Sequence, residues 1–136
     1  MANLAPTAAS VIAAAGARVK DVVAGETITA GMVVYKKTAD GSKYWKAIND
    51  DETSAAAEGI AINGASRNQP MRICTGGNIN PGATVVLALP YTVAGTAGML
   101  CPQADVASAD YMTILGIATT TSNILLDIDV SGALLA

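Results

Sequence analysis

The sequence predicts an all-β fold: a small barrel or sandwich of short antiparallel strands, with two pseudo-repeated halves and an extended Ala-rich N-terminal arm. Three observations predict it. Apolar runs are short, Val- and Ile-containing, and broken every few residues by Gly, Asn, Asp or Pro, as in small barrels and sandwiches. Ala39-Asp40-Gly41-Ser42 carries the Asp-Gly chemistry of a tight hairpin between two such runs. The chain also repeats itself weakly. Ala24-Gly25-Glu26-Thr27-Ile28-Thr29-Ala30-Gly31 returns as Thr75-Gly76-Gly77-Asn78-Ile79-Asn80-Pro81-Gly82, so Gly25, Ile28 and Gly31 recur at an offset of 51 (76 − 25, 79 − 28, 82 − 31). Gly59-Ile60-Ala61 likewise returns as Gly116-Ile117-Ala118, and two copies are too few for a solenoid, so one domain with pseudo-repeats over about 24–76 and 75–132 is expected.

In chain order, residues 1–19 form a low-complexity arm interrupted by Pro6 and Gly16, whose strong apolar anchors are Leu4, Val11 and Ile12. Such a segment buries too little on its own to offset its ordering entropy, so holding it takes its own domain or a neighbouring chain. The β domain, 20–136, follows. Val19–Val23 reads as a strand, Ala24–Glu26 as a turn, Met32–Thr38 as a strand, and Lys43–Ile48 as its hairpin partner. Asn49–Ser54 is a polar break, with one short helical turn over Ser54–Glu58. Gly59–Ile62 and Met71–Cys74 are strands around a polar loop. In the second copy, Thr84–Leu89 is a strand, Pro90–Gly98 a loop or distorted hairpin, and Met99–Cys101 a short strand. Pro102–Asp110 is a break, and Gly116–Thr119 and Ile124–Val130 close the chain as strands. Counting from Gly59 to Gly116 (116 − 59 = 57, against 51) leaves the second copy with a loop six residues longer, placed at Pro90–Asp110.

Composition sets bounds on function. The 136 residues suit one domain and include no Phe, one Trp and four Tyr, so the core is built from small and β-branched side chains. A core so thin in rings favours support from a partner. Net charge is −3, and the basic residues gather no further than Lys36-Lys37 with Lys43 and Lys46 nearby, which argues against a phosphate-binding surface and so against nucleic acid. No apolar run reaches eighteen residues, so no transmembrane helix is expected.

Histidine is absent, which removes Ser/His/Asp and Cys/His nucleophile systems, and no enzyme activity, cofactor or metal is expected. Asp127 and Asp129 lie two apart in a strand and would share one face, the pattern of a charged solvent side. Asn49-Asp50-Asp51-Glu52 lacks the alternation and central Gly of a calcium loop and reads as a solvated turn. Cys74 and Cys101 read either as buried thiols or as one disulfide between the halves. Tyr35, Tyr44 and Trp45 fall on the first hairpin, with Tyr35 and Tyr44 as candidate surface aromatics and Trp45 as a core ring.

The paired units resemble the capsid cement, or head decoration, proteins of tailed bacteriophages. The resemblance rests on Ala30-Gly31-Met32-Val33-Val34 through Gly59-Ile60-Ala61 to Gly76, repeated as Pro81-Gly82-Ala83-Thr84-Val85-Val86 through Gly116-Ile117-Ala118 to Gly132. It covers residues 20–132 and leaves the arm outside. It implies a structural virion protein on the outer capsid surface, made in the host cytoplasm, that binds the major capsid protein and cross-links neighbouring capsomers. It also implies a homo-oligomer, with a trimer favoured over a dimer, and neither nucleic acid nor membrane as partner. Leu4, Pro6, Val11, Ile12, Tyr91 and Met99 are the expected contacts with capsid or neighbouring subunit. The competing reading is a carbohydrate- or receptor-binding module of a head fibre or tail adhesin, working through the hairpin rings. Exposure of two of those rings together would favour it.

Overall fold

The computed structural model describes residues 11–83, 85–102 and 111–134. It is all-β, a single curled antiparallel sheet, as the sequence predicts. The strands are β1 (Val11–Ala13), β2 (Arg18–Val23), β3 (Val33–Lys37), β4 (Lys43–Lys46), β5 (Ala57–Ala61), β6 (Pro70–Pro81), β7 (Pro90–Val93), β8 (Leu100–Pro102), β9 (Tyr111–Ala118) and β10 (Ile124–Leu134). One short helix, α1 (Glu52–Ala55), precedes β5. The spatial order β4-β3-β5-β6-β10-β9-β7-β8 reads the same from either end once β3 to β6 are matched with β7 to β10, and β1 and β2 add to β6.

That symmetry is a duplication, but not in the alignment drawn from the glycines. Val33 pairs Ile60 and Val34 pairs Gly59; Pro90 pairs Ile117 and Tyr91 pairs Gly116, so every partner has moved by 57 (90 − 33, 117 − 60). Both pairs of strands then bulge at the next residue, Tyr35 in one and Thr92 in the other. The preceding turns agree too: Gly31 N–H donates to Ala61 O and Ala88 N–H to Ala118 O, again 57 apart. Only the last strand steps back to 51, since Cys74 pairs Ile60 while Leu125 pairs Ile117. The physical reason is the length of one hairpin. Ala61 pairs Ile73, twelve residues on, whereas Ala118 pairs Ile124, six on (73 − 61, 124 − 118). The two halves therefore differ in the β5–β6 turn of the first, not in a longer Pro90–Asp110 loop, and the match of Gly25 with Gly76 is accidental.

Four further expectations change. The strand expected over Thr84–Leu89 is a loop across Val85–Leu89, and β7 starts at Pro90, because a proline is tolerated as the first residue of a strand. β6 runs on past Cys74 to Pro81, passing from one half into the other at Gly77, whose φ of +88 is open to glycine at little cost. The short helix comes earlier, at Glu52–Ala55, where Asp51 caps it by accepting from the backbone N–H of Thr53 and Ser54. The fourth change concerns the arm. Val11–Ala13 and the first residues of β2, Arg18 and Val19, belong to the sheet through antiparallel pairing with β6. The hairpin expected at Asp40-Gly41 is present between β3 and β4, with Gly41 in the left-handed region.

In the first half the order β2-β6-β5-β3-β4 closes on itself: Ala24 bridges Tyr44, and Gly25 N–H donates to Tyr44 O at 2.8 Å. Val22, Ala24, Ile28, Val34, Tyr44, Ala61, Met71 and Ile73 pack together in one buried cluster there. The alternate side chains, Val33, Tyr35, Ile60 and Cys74, join a larger cluster with Tyr91, Leu100, Leu115, Ile124 and Leu126 of the second half. β3 and β5 of the first half are thus buried on both faces, which a composition with so few rings achieves with small residues.

Candidate functional site

The expected contact residues divide sharply. Ile12 is 63% exposed on β1. Val11, its neighbour, points the other way and is buried in the main core. Tyr91 is also a core residue, not a contact: its ring is buried and its hydroxyl accepts the backbone N–H of Val86 at 3.0 Å. Met99 is half-buried against Ala94 and Cys101. Leu4 and Pro6 lie outside the described residues, as do Asp105 and Asp110.

The candidate surface aromatics are not on the surface. Tyr35 and Tyr44 are both buried, because β3 and β4 have core on each side. Only the Tyr44 hydroxyl reaches the edge of the packed interior, where it donates to Glu58 Oε1 at 2.7 Å and accepts from Lys20 Nζ at 3.2 Å. Lys20 also bonds Glu58 at 2.9 Å. Burial and the hydrogen bond to Glu58 raise the Tyr44 phenol above its ordinary value. Burial also pushes the Glu58 carboxyl up, but the hydrogen bonds from Tyr44 and Lys20 outweigh it and leave it below its ordinary value. Lys36, Lys43 and Lys20 line an open cleft of 330 Å³ outside this group.

Trp45 is half-buried over Gly25, and its indole N–H donates to Asp40 Oδ2 at 2.9 Å. Arg67 grips the same carboxylate with two nitrogens, at 2.8 and 3.0 Å, and donates to Gly25 O at 2.7 Å. This knot ties the β3–β4 turn to the β5–β6 turn. The hydrogen bonds from Arg67, then the one from Trp45, hold the Asp40 carboxyl well below the usual carboxylate range. A folded pKa below the unfolded one gives stabilisation that is complete above about pH 4 and is lost as pH falls through the folded value. The melting temperature should therefore fall more steeply with acid in the parent chain than in Asp40→Asn, followed by circular dichroism from about pH 5 downward. Parallel slopes for the two proteins would rule the knot out as an acid-sensitive contact.

Among the described residues no three of His, Cys, Asp and Glu come together as metal ligands would. Asp127 is exposed, and the pairing of β10 with β9 shifts register between Leu126 and Asp129, whose side chain lies outside the described ones. Asp50 is exposed in the turn before α1. Cys74 and Cys101 are both buried and no disulfide joins them, and burial raises the Cys74 thiol above its ordinary value. A second open cleft of 510 Å³ runs beside Asp21, Asn63, Met71 and Arg72, where Arg72 Nε reaches Asp21 at 3.0 Å.

What the sequence reading passed over is apolar exposure in the second half. Val86, Leu87, Ile117 and Leu125 are 61%, 59%, 49% and 44% exposed. A sequence signal was present: no Lys, Arg or Glu follows Arg72. Together these features define a class, a duplicated all-β domain whose charged half and apolar-faced half present different surfaces. No family model matches this sequence, and no curated protein or solved structure is found similar to it.

Proposed function

We propose that this chain is a structural virion protein that binds the outer surface of an icosahedral phage capsid and stabilises the shell by cross-linking neighbouring capsomers. In this reading the major capsid protein is the partner, the chain acts as a homo-oligomer with a trimer ahead of a dimer, and it catalyses nothing. The observation that carries the reading is Ile12. It stands outward on β1, which among the described residues pairs only with β6 and leaves its other backbone edge open. An open strand edge with an outward apolar side chain, leading back into an Ala-rich segment, suits strand addition to a neighbouring sheet. Many identical weak contacts of this kind sum by multivalency over a shell. The target is supported by the likeness of the Gly-x-Val-Val and Gly-Ile-Ala pattern to cement proteins. The adhesin reading needs two exposed hairpin rings, and the burial of Tyr35 and Tyr44 weighs against it.

The test is co-sedimentation with empty shells assembled from the cognate capsid protein. Because β1 and β2 belong to the sheet, the truncation stops at residue 10 rather than 19. Deleting residues 2–10, or making Ile12→Asp, should weaken shell binding by about tenfold or more, as for a buried apolar anchor, with the melting temperature little changed. Shells that bind no full-length chain would sink the reading. Full occupancy by both variants would sink the role of the segment.

A further inference from the structure

The turn between β5 and β6 is the segment that sets the first half apart from the second, and it carries a reactive sequence. Ile62 N–H donates to Arg72 O at 2.9 Å, which fixes the mouth of the turn. One residue further on a side chain takes over: Asn63 Oδ1 accepts the Arg72 backbone N–H at 2.6 Å. That donor settles which end of the amide is oxygen, since an N–H needs an acceptor. The Nδ2 end is turned away from the strand, and among the described residues it reaches only Gly64 O, at 3.5 Å. Asn63 and Gly64 are both exposed, and Asn63 lines the open cleft of 510 Å³ with Asp21, Met71 and Arg72, so water has free access. Gly64 N–H makes no hydrogen bond among the described residues. Of the chain's asparagines, only Asn63 precedes a glycine.

We propose that Asn63 is a self-modification site, at which the Gly64 nitrogen displaces the side-chain amide through a cyclic imide and water converts the imide to a carboxylate. The hydrogen bond from Arg72 polarises the Asn63 carbonyl for attack, and glycine leaves the attacking nitrogen uncrowded. The Gly64 N–Cγ bond forms as the Cγ–Nδ2 bond breaks. The Gly64 N–H proton goes to solvent, and Nδ2 takes a proton from solvent and leaves as ammonia. Water then opens the ring, so one water is consumed and one ammonia released, and the net charge passes from −3 to −4. The other asparagines lack one part or another. Asn80 has a comparable anchor, its Oδ1 accepting the Gly82 N–H at 2.9 Å, but Pro81 follows it and has no N–H to give up. Asn49 is fully buried, and Asn78 and Asn123 precede β-branched isoleucines that crowd the nitrogen. The turn also biases the product. Water attacking Cγ gives aspartate, which keeps the chain length and an oxygen for the Arg72 N–H. Water attacking the backbone carbonyl gives isoaspartate, which adds one methylene to the backbone just before Ala65. Ala65 exchanges two backbone hydrogen bonds with Ile28, at 2.8 and 2.9 Å, so that added length has to be absorbed against a fixed point and aspartate is favoured. The inference goes beyond the shell reading and does not depend on it.

Incubation of the folded full chain in warm neutral buffer, followed by peptide mass spectrometry, tests it. Asn63 should gain about one mass unit, the exchange of an amide for a carboxyl, ahead of every other asparagine. Isoelectric focusing should show a more acidic species that comigrates with Asn63→Asp. A Cβ at Gly64 would meet Ile28 O at 3.4 Å, an ordinary contact, so Gly64→Ala should fold. It should slow the gain by about tenfold, because the nitrogen is now crowded. Asn63→Gln keeps the amide but closes a larger ring, and should gain nothing at this position over the same time. It serves as the second variant if circular dichroism shows Gly64→Ala unfolded. Fragmentation that separates aspartate from isoaspartate gives the product ratio, with the chain in urea as the unrestrained reference. The isoaspartate share should be smaller in the folded chain than in urea. A folded chain that keeps Asn63 intact while the chain in urea reacts overturns the inference. Folded Gly64→Ala reacting at the parent rate, or equal isoaspartate shares with and without urea, does so too.

Discussion

Replacing Gly116 by alanine should cost about 3 kcal/mol of folding stability, the upper end of what an overpacked methyl usually costs. That would lower the melting temperature by on the order of 10 °C. A Cβ at Gly116 would land on the backbone carbonyl oxygen of Leu125, with Ile124 Cγ2 at 3.0 Å behind it. Neither can yield. The carbonyl belongs to the paired strand, and the Ile124 methyl sits on a β-branched carbon held in the core. Gly59 has the same surroundings in the first half: its Cβ would stand 2.5 Å from Cys74 O, but its second neighbour is Ile73 Cδ1, the far end of a longer side chain, at 3.1 Å. Gly59→Ala should therefore be the milder of the two. Denaturant titration of both variants checks this. A loss below about 0.5 kcal/mol at both sites, the size of an ordinary surface change, would mean that close approach is not why the Gly-Ile-Ala tripeptide recurs.

Tyr91→Ala should cost about 4 kcal/mol, as expected for emptying a fully buried ring site. Tyr91→Phe should cost only about 1 kcal/mol, for the lost hydrogen bond to the Val86 N–H. The ring is 1% exposed in the cluster that joins the halves, and its hydroxyl holds the Val85–Leu89 loop in place. The ordering of these two variants separates the two roles offered for Tyr91. A side chain that acted by touching a neighbouring subunit would leave the unfolding of the isolated chain unchanged when truncated. Unfolding curves for Tyr91→Ala that overlay the parent would restore the contact role.

The duplication was legible and its alignment was not. Gly25, Ile28 and Gly31 do recur at 51, but glycine is common here, and three matches in a loop carry less information than the register of four strands. The hairpin at Asp40-Gly41 was legible because its turn chemistry is local. The Thr84–Leu89 expectation failed because a β-branched run says nothing about whether a strand partner is available. Val86 and Leu87 end up in a turn, facing solvent. Tyr35 and Tyr44 were misplaced for a different reason: alternation assumes one solvated face, and a sheet that curls until β2 meets β4 has core on both. Ile12 is an expected contact residue that does stand exposed, whereas the exposure of Leu125 and Ile117 was hidden among apolar residues that read as ordinary core. The missing cations after Arg72 were the only advance sign that the second half is different.

The passage of β6 from one half into the other gives this molecule a particular way of bearing load. The two units are not strung on a linker; the last strand of the first is the first strand of the second. Tension between the halves runs along that strand, parallel to its axis, and so across the ladders to β2, β5, β10 and β1 at once. Bonds sheared together share the pull, while bonds peeled from a hairpin end face it one at a time. A tether that joined the same two units through a loop would stretch first and transmit little.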